Sequence, residues 1–298
     1  MARKTSIGGQ AVIEGVMMRG PSTVALAVRK EDGEIFIKID KKPPLVKKNK
    51  FLSLPIIRGA AALIDSLITG TKYLSDSGDI FEGNEENINN KKSLKEKLIL
   101  GATLLVSFGI SLLLFALLPT IVADFAKRFT QNTFLINIFE GIIKVVIFLA
   151  YVFFIGKLED VKRIFQYHGA EHKTIFCYEA EEELTVENVR KYGTLHPRCG
   201  TNFMFSVIII GILVFSVFGW PNLSYRIFLR IALLPLIAGI SYEFIKWQGK
   251  SDSRFAKIMS LPGLYLQKLT TNEPDDSQIE VAIESLKAVI KEGEDDKW

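Results

Sequence analysis

The sequence predicts an α-helical polytopic membrane protein, with about four transmembrane helices and a small cytosolic α+β layer containing an N-terminal β-hairpin. Three observations carry that prediction. Of 298 residues, 48% are hydrophobic, and they gather in long runs, which a bilayer accepts and water does not. Lysine and arginine concentrate in segments that such spans would leave on one side. All three histidines and both cysteines lie between His168 and Cys199, inside one of those segments.

Residues 1–50 read as a soluble hairpin segment. The basic start, Met1 to Gly9, has no apolar core behind it and is not a signal peptide. Gly8 to Pro21 sets four glycines around Gln10, Glu14 and Arg19. Such glycine density suits close backbone approach, either to a ligand or within a strand pair. It is not a phosphate loop, because no Gly-Lys-Ser/Thr follows. Val24, Leu26 and Val28 alternate, Ile35, Ile37 and Ile39 repeat the pattern, and Asp32-Gly33 between them supplies a tight turn.

Residues 51–97 begin with an amphipathic helix. Ile57, Ala60, Ala61, Ile64, Leu67 and Ile68 share helical spacing, a stripe suited to a membrane interface or to another helix. Ser75 to Asn90 is polar and reads as a loop.

Residues 98–155 and 203–246 hold two spans each. Leu98–Ala123 is uncharged; Phe134–Ile155 carries Glu140 and Lys144; Phe203–Trp220 is uncharged; Ile227–Ile245, the weakest, carries Arg230, Pro235 and Glu243. Glu140 and Lys144 stand one helical turn apart, so they either neutralise each other or mark a transport path. Lysine plus arginine number 17 in residues 1–97, seven in 156–202 and eight in 246–298, against two in 124–133 and one in 221–226. The positive-inside rule then puts both termini and the His/Cys segment in the cytosol. There two free cysteines suit a reducing compartment, and they are too few for a disulfide framework. In the C-terminal segment, 247–298, Arg254 to Leu269 mixes bulky apolar and basic residues around Pro262 and is expected at the membrane surface. Asp275 can cap a helix whose stripe, Ile279, Ala282, Ile283, Leu286 and Ile290, would pack on the hairpin.

The chemistry concentrates in 156–202. His168 and His172 are four apart and would share one helical face; with Glu171 they spell H-x-x-E-H. His196 and Cys199 flank Pro197 in a turn closed by Gly200. Zn2+, or another divalent transition metal, would accept two imidazoles from a helix and a third ligand from the turn. With three histidines the fourth position stays open and Glu171 is the candidate catalytic base. With Cys199 added the shell closes and the site is structural. Without metal, the same groups form a hydrogen-bonded network. Of the two turn ligands His196 is preferred, since it need not lose a proton near neutral pH. Lys173 and Arg198 would supply positive charge for an anionic substrate, a lipid phosphate first. Gln10, Glu14 and Arg19 are expected to converge on this segment, Glu14 either as a further ligand or paired with Arg198.

The strings Gly8 to Arg19, Tyr167-His168-Gly169-Ala170-Glu171-His172-Lys173, His196-Pro197-Arg198-Cys199-Gly200-Thr201 and Leu261 to Thr271 resemble the YqhQ-like bacterial membrane family. That family carries a domain-of-unknown-function label and is often described as predicted metal-dependent enzymes. The resemblance implies a multi-pass protein of the bacterial cytoplasmic membrane. Its members are often encoded near translation genes, which implies a role beside the ribosome or a Sec-type translocon. Three classes of function follow. A metal-dependent hydrolase would work at the membrane surface. A non-catalytic factor would dock on ribosome or translocon through its cytosolic lysines and arginines. A small-solute or ion transporter would use Glu140, Lys144, Arg230 and Glu243, but four short spans without symmetry give alternating access little room.

Overall fold

The computed structural model describes residues 4–47, 49–85, 94–218, 222–251, 253–290 and 296. Four strands open the chain: β1 (Gly8–Val12), β2 (Gly15–Arg19), β3 (Thr23–Arg29) and β4 (Ile35–Lys41). They form an antiparallel sheet in chain order. The expected hairpin is β3–β4, with Gly33 at φ 89° in its turn. The glycine-rich string is the second strand pair, with Gly9 opposite Met18 and Val12 opposite Gly15. Gly15 is required there, because a Cβ would stand 2.2 Å from the Ala27 carbonyl.

Helices follow: α1 (Ile57–Phe81), α2 (Leu94–Leu112), α3 (Leu118–Asp124), α4 (Thr133–Ile155), α5 (Glu159–Glu179), α6 (Val186–Arg190), α7 (Gly200–Val217), α8 (Leu223–Ala232), α9 (Leu234–Lys250), α10 (Arg254–Thr270) and α11 (Asp276–Val289). The sheet has a helix layer on each face. Val12, Met17, Val24, Leu26 and Val28 pack on Tyr73 and Ile80 of α1. Val16, Met18, Ala25 and Ala27 pack on α11 and on Tyr167 and Ala170 of α5. The α11 stripe sits as its spacing predicts, with Ile279, Ala282, Ile283 and Leu286 buried. Asp275 caps this helix reciprocally with Gln278.

Two readings change. The polar stretch from Ser75 is helical as far as Phe81, and residues 86–90 of the expected loop lie outside the described residues. Its polar groups have partners across the sheet: Asp76 accepts from Lys38 at 3.0 Å, and Ser77 Oγ accepts the Ile13 N–H at 3.1 Å. Polarity there marks contact with backbone and charge, not with solvent. The amphipathic stripe of α1 faces outward as well: Ile64, Leu67 and Ile68 are exposed, while Asp65, Thr69 and Asp76 are buried. Its N-terminal part does cover another helix: Ala61 is buried, and Gly59 lies against Gly239 and Tyr242 of α9.

Among the described residues, three helices are long and apolar enough to cross a membrane: Gly101–Arg128, Thr133–Ile155 and Gly200–Val217. The first contains a π-helical turn at Leu113–Leu117. A fourth span counts only if α8 and α9, bent by 45°, act as one. The break lies where Pro235 removes a backbone donor. The third expected span ends at Val217, and its last two residues fall outside the described ones.

Candidate metal centre

Helix α5 carries the H-x-x-E-H string. It is a separate helix, divided from α4 by the Gly156–Leu158 turn. Four-residue spacing stacks His168 on His172, with ring centroids 4.4 Å apart. Backbone carbonyls fix the protonation pattern. His168 Nδ1 donates to the Thr270 carbonyl at 2.8 Å, and His172 Nδ1 donates to the Thr194 carbonyl. A carbonyl only accepts, so each neutral ring keeps its proton on Nδ1 and turns an Nε2 lone pair forward. Cys199, the residue preceding α7, brings Sγ to 3.2 Å from His168 Nε2.

Among the described residues, His168, His172 and Cys199 offer donor atoms that all lie within 4.8 Å of one another, a group that could hold a metal ion. Two imidazoles and a thiolate suit zinc, whose tetrahedral bond lengths put ligand atoms about 3.5 Å apart. Cys199 rather than His196 completes this group. The turn brings the sulfur to His168, while the His196 ring lies against Phe176 of the same helix, its centroid 5.5 Å from that of His172.

His196 joins a different cluster. Its backbone N–H donates to Gln267 Oε1 at 2.7 Å, and Gln267 Nε2 returns a bond to the His196 carbonyl at 2.8 Å. Its ring packs on Phe176 and stands 3.6 Å from Glu179 Oε2. Burial pushes the His196 pKa down to about 4, so the ring is neutral at pH 7. Burial also raises the Glu179 carboxyl, but His196, Arg198 and the Thr5 N–H outweigh it and hold the group below the usual range.

Glu171 is buried beside the metal group. Its Oε1 accepts the Gly9 N–H at 2.8 Å, and Oε2 lies 3.5 Å from His172 Nε2. Burial raises its pKa, opposed by His168 and by the Gly9 bond. Glycine is obligatory at both contacts of this helix. A Cβ on Gly9 would come within 2.8 Å of Glu171 Cγ, and one on Gly169 would come 2.1 Å from the Asn272 carbonyl.

Other predicted partners are placed elsewhere. Glu14, at φ 46° in the β1–β2 turn, pairs with Arg163 and accepts from Tyr167 Oη at 3.2 Å; it meets neither the metal group nor Arg198. The sheet turn docks on the first part of α5, at Arg163 and at Tyr167 next to His168. Arg19 pairs with Asp65 of α1, and Gln10 lies against Gly70 of the same helix. Lys173 is buried, paired with Glu273 and bonded to the Arg190 carbonyl; Arg198 is buried against Glu179. Both expected substrate cations are therefore committed to internal partners. The span charges are paired as well: Glu140 with Lys144 at 2.9 Å and with Arg230, and Glu243 with Arg58. Thr194, Thr270, Glu179 and Gln267 were missed as site residues. The only signal for two of them was their place inside or beside the quoted strings.

The cluster opens onto a groove of about 970 Å³, where His168 and Cys199 meet Gly9 and Gln10 of β1, Leu67 of α1 and Tyr242 of α9. A mostly helical chain with three or four span-length apolar helices, a small N-terminal antiparallel sheet and a His/His/Cys group defines the class. A family model described as "Protein of unknown function (DUF1385)" matches residues 54–292, and the chain belongs to that family. Over 294 residues it is 39% identical to "Uncharacterized protein YqhQ" of Bacillus subtilis (strain 168), an alignment covering 95% of this chain and 92% of that one. No solved structure matches the chain.

Proposed function

We propose that the protein is a metal-dependent hydrolase of the bacterial cytoplasmic membrane, with its site on the cytosolic surface and both termini in the cytosol. The observation that supports this most is the convergence of His168, His172 and Cys199 donor atoms within 4.8 Å of one another, with His168 and Cys199 on the wall of an open groove and His172 buried behind them. Membrane embedding draws on exposed apolar side chains: Leu105 is 74% exposed, Phe129 82% and Val217 83%. A patch of that size in water is an aggregation site, whereas in lipid it costs nothing.

His168, His172 and Cys199 would hold a divalent ion, zinc first. When bound there, such an ion supplies Lewis acidity and an activated water at neutral pH. Glu171 takes a proton at Oε2, because Oε1 is held by Gly9 and burial raises the affinity of the carboxyl for that proton. The Thr194 and Thr270 carbonyls fix the two rings.

Elemental analysis of detergent-purified protein tests the ligand set. One zinc per chain is expected, lost in His168→Ala, His172→Ala and Cys199→Ala, retained in His196→Ala and in Glu171→Gln. Glu171→Gln with zinc intact but cellular function abolished supports catalysis. Metal-free wild type overturns the hydrolase. If ribosome co-sedimentation then weakens steeply with salt, a docking factor replaces it. For topology, a cysteine placed at Asp32 should react only from the cytosolic side.

A further inference from the structure

We propose that the groove beside the metal group is an oxyanion site that takes a phosphate-bearing ligand, with Lys246, Tyr242 and Thr201 as its donors. This deepens the hydrolase reading by naming its substrate class, and it rests on the groove rather than on the metal. The lining carries three charged side chains, Arg19, Lys47 and Lys246, all cationic, and no carboxylate. Lys173 and Arg198, the cations nearest in sequence to the histidines, are spent on Glu273 and Glu179. The charge facing the groove comes instead from distant elements.

Lys246 and Tyr242 stand one turn apart on α9 and both line the groove. Neither the ammonium nor the phenol has a hydrogen bond or a contact ion pair among the described residues; Glu243, one turn back from Lys246, attracts it but is itself paired with Arg58. Opposite them α7 begins at Gly200, with no side chain capping it. Its Asn202 N–H is taken by the Cys199 carbonyl at 3.1 Å, and the helix start puts positive partial charge beside Thr201. Thr201 Oγ1 is buried without a hydrogen-bond partner. A buried hydroxyl left unpaired is costly, and an oxyanion would satisfy it. Arg19 is neutralised by Asp65 and Lys47 leans on the Pro21 carbonyl at the exposed rim, so Lys246 is the principal charge. The apolar part of the lining, with Leu67, Phe165 and Met204, suits the hydrocarbon of a lipid better than free phosphate.

Titration calorimetry on detergent-purified, metal-loaded protein tests this with three probes: dioctanoyl phosphatidic acid, inorganic phosphate and dioctanoyl phosphatidylcholine. Phosphatidic acid should bind, and Lys246→Gln and Thr201→Val should each weaken it about tenfold while zinc content stays unchanged. Weaker binding of inorganic phosphate assigns the site to lipid headgroups. Equal binding assigns it to free phosphate. His172→Ala, at a position that does not line the groove, should lose zinc and keep phosphatidic acid binding, which separates failure of the metal reading from failure of this one. Binding unchanged in both Lys246→Gln and Thr201→Val, or no preference over phosphatidylcholine, overturns the proposal. So does an RNA oligomer that displaces phosphatidic acid at lower concentration.

Discussion

The two histidine clusters use the same helix and the same residue types, and they end in opposite states. His168 and His172 have backbone carbonyls behind them, and His168 has the Cys199 sulfur in front and a groove beyond. His196 has Glu179 and Arg198 around it and Gln267 bonded to its backbone on both sides. Each cluster has a carboxylate, Glu171 at 3.5 Å from His172 and Glu179 at 3.6 Å from His196. What separates them is the guanidinium: Arg198 closes on Glu179, whereas Glu171 is met by the Gly9 N–H and the two rings are oriented by backbone carbonyls. One cluster is thus closed on its own charges, and the other is the group that could hold an ion.

The strongest way to break that contrast is to unpair the closed cluster. Glu179→Ala leaves Arg198 buried without its carboxylate, and a loss of about 3–5 kcal/mol is expected. Denaturant or thermal melts in detergent read it. Protein that still folds should keep its zinc, and zinc loss without destabilisation would show that the two clusters are one.

Acid sharpens the comparison next. His196 has a folded pKa of about 4 against an ordinary 6.5, so the unfolded chain binds its proton first. Its contribution is complete above pH 6.5 and lost as pH falls toward 4, to a total of about 3 kcal/mol. Glu171 acts the other way, because its raised pKa costs stability as pH rises through it. The difference between wild type and His196→Gln therefore isolates the histidine. Over pH 4–6.5 the variant should show the flatter stability profile, and parallel profiles would place the His196 ring in water.

Gly169→Ala should cost about 2–3 kcal/mol, because its methyl group would stand 2.1 Å from the Asn272 carbonyl and force α5 from the segment after α10. Since Thr270, the last residue of α10 and two before Asn272, holds His168, zinc affinity should fall with it. Unchanged affinity would mean that the carbonyl does not position the ring. The smallest effect is expected at Arg163→Ala. This side chain is 45% exposed in its pair with Glu14, and a change of at most about 1 kcal/mol in the melt, with zinc unchanged, is predicted. A larger loss would make the sheet turn part of the site.

Local pattern was enough for much of the molecule. The three apolar helices, the α11 stripe, the Asp32-Gly33 hairpin and the stacking of His168 on His172 each follow from spacing within a few residues. Geometry at that range is set by the backbone itself, with its 3.6- and 2-residue periods. The partner of each polar group was decided elsewhere. His168 finds Thr270 102 residues away, Glu14 finds Arg163 149 away, and Glu171 finds Gly9 162 away. The expected choice of His196 over Cys199 rested on proton cost alone. The structure instead ranks them by aim, through a turn whose direction is fixed by Gln267, 71 residues on. Lys173 and Arg198 look like substrate cations in sequence because charge is local. Their burial depends on carboxylates delivered by packing, and only the folded chain supplies those.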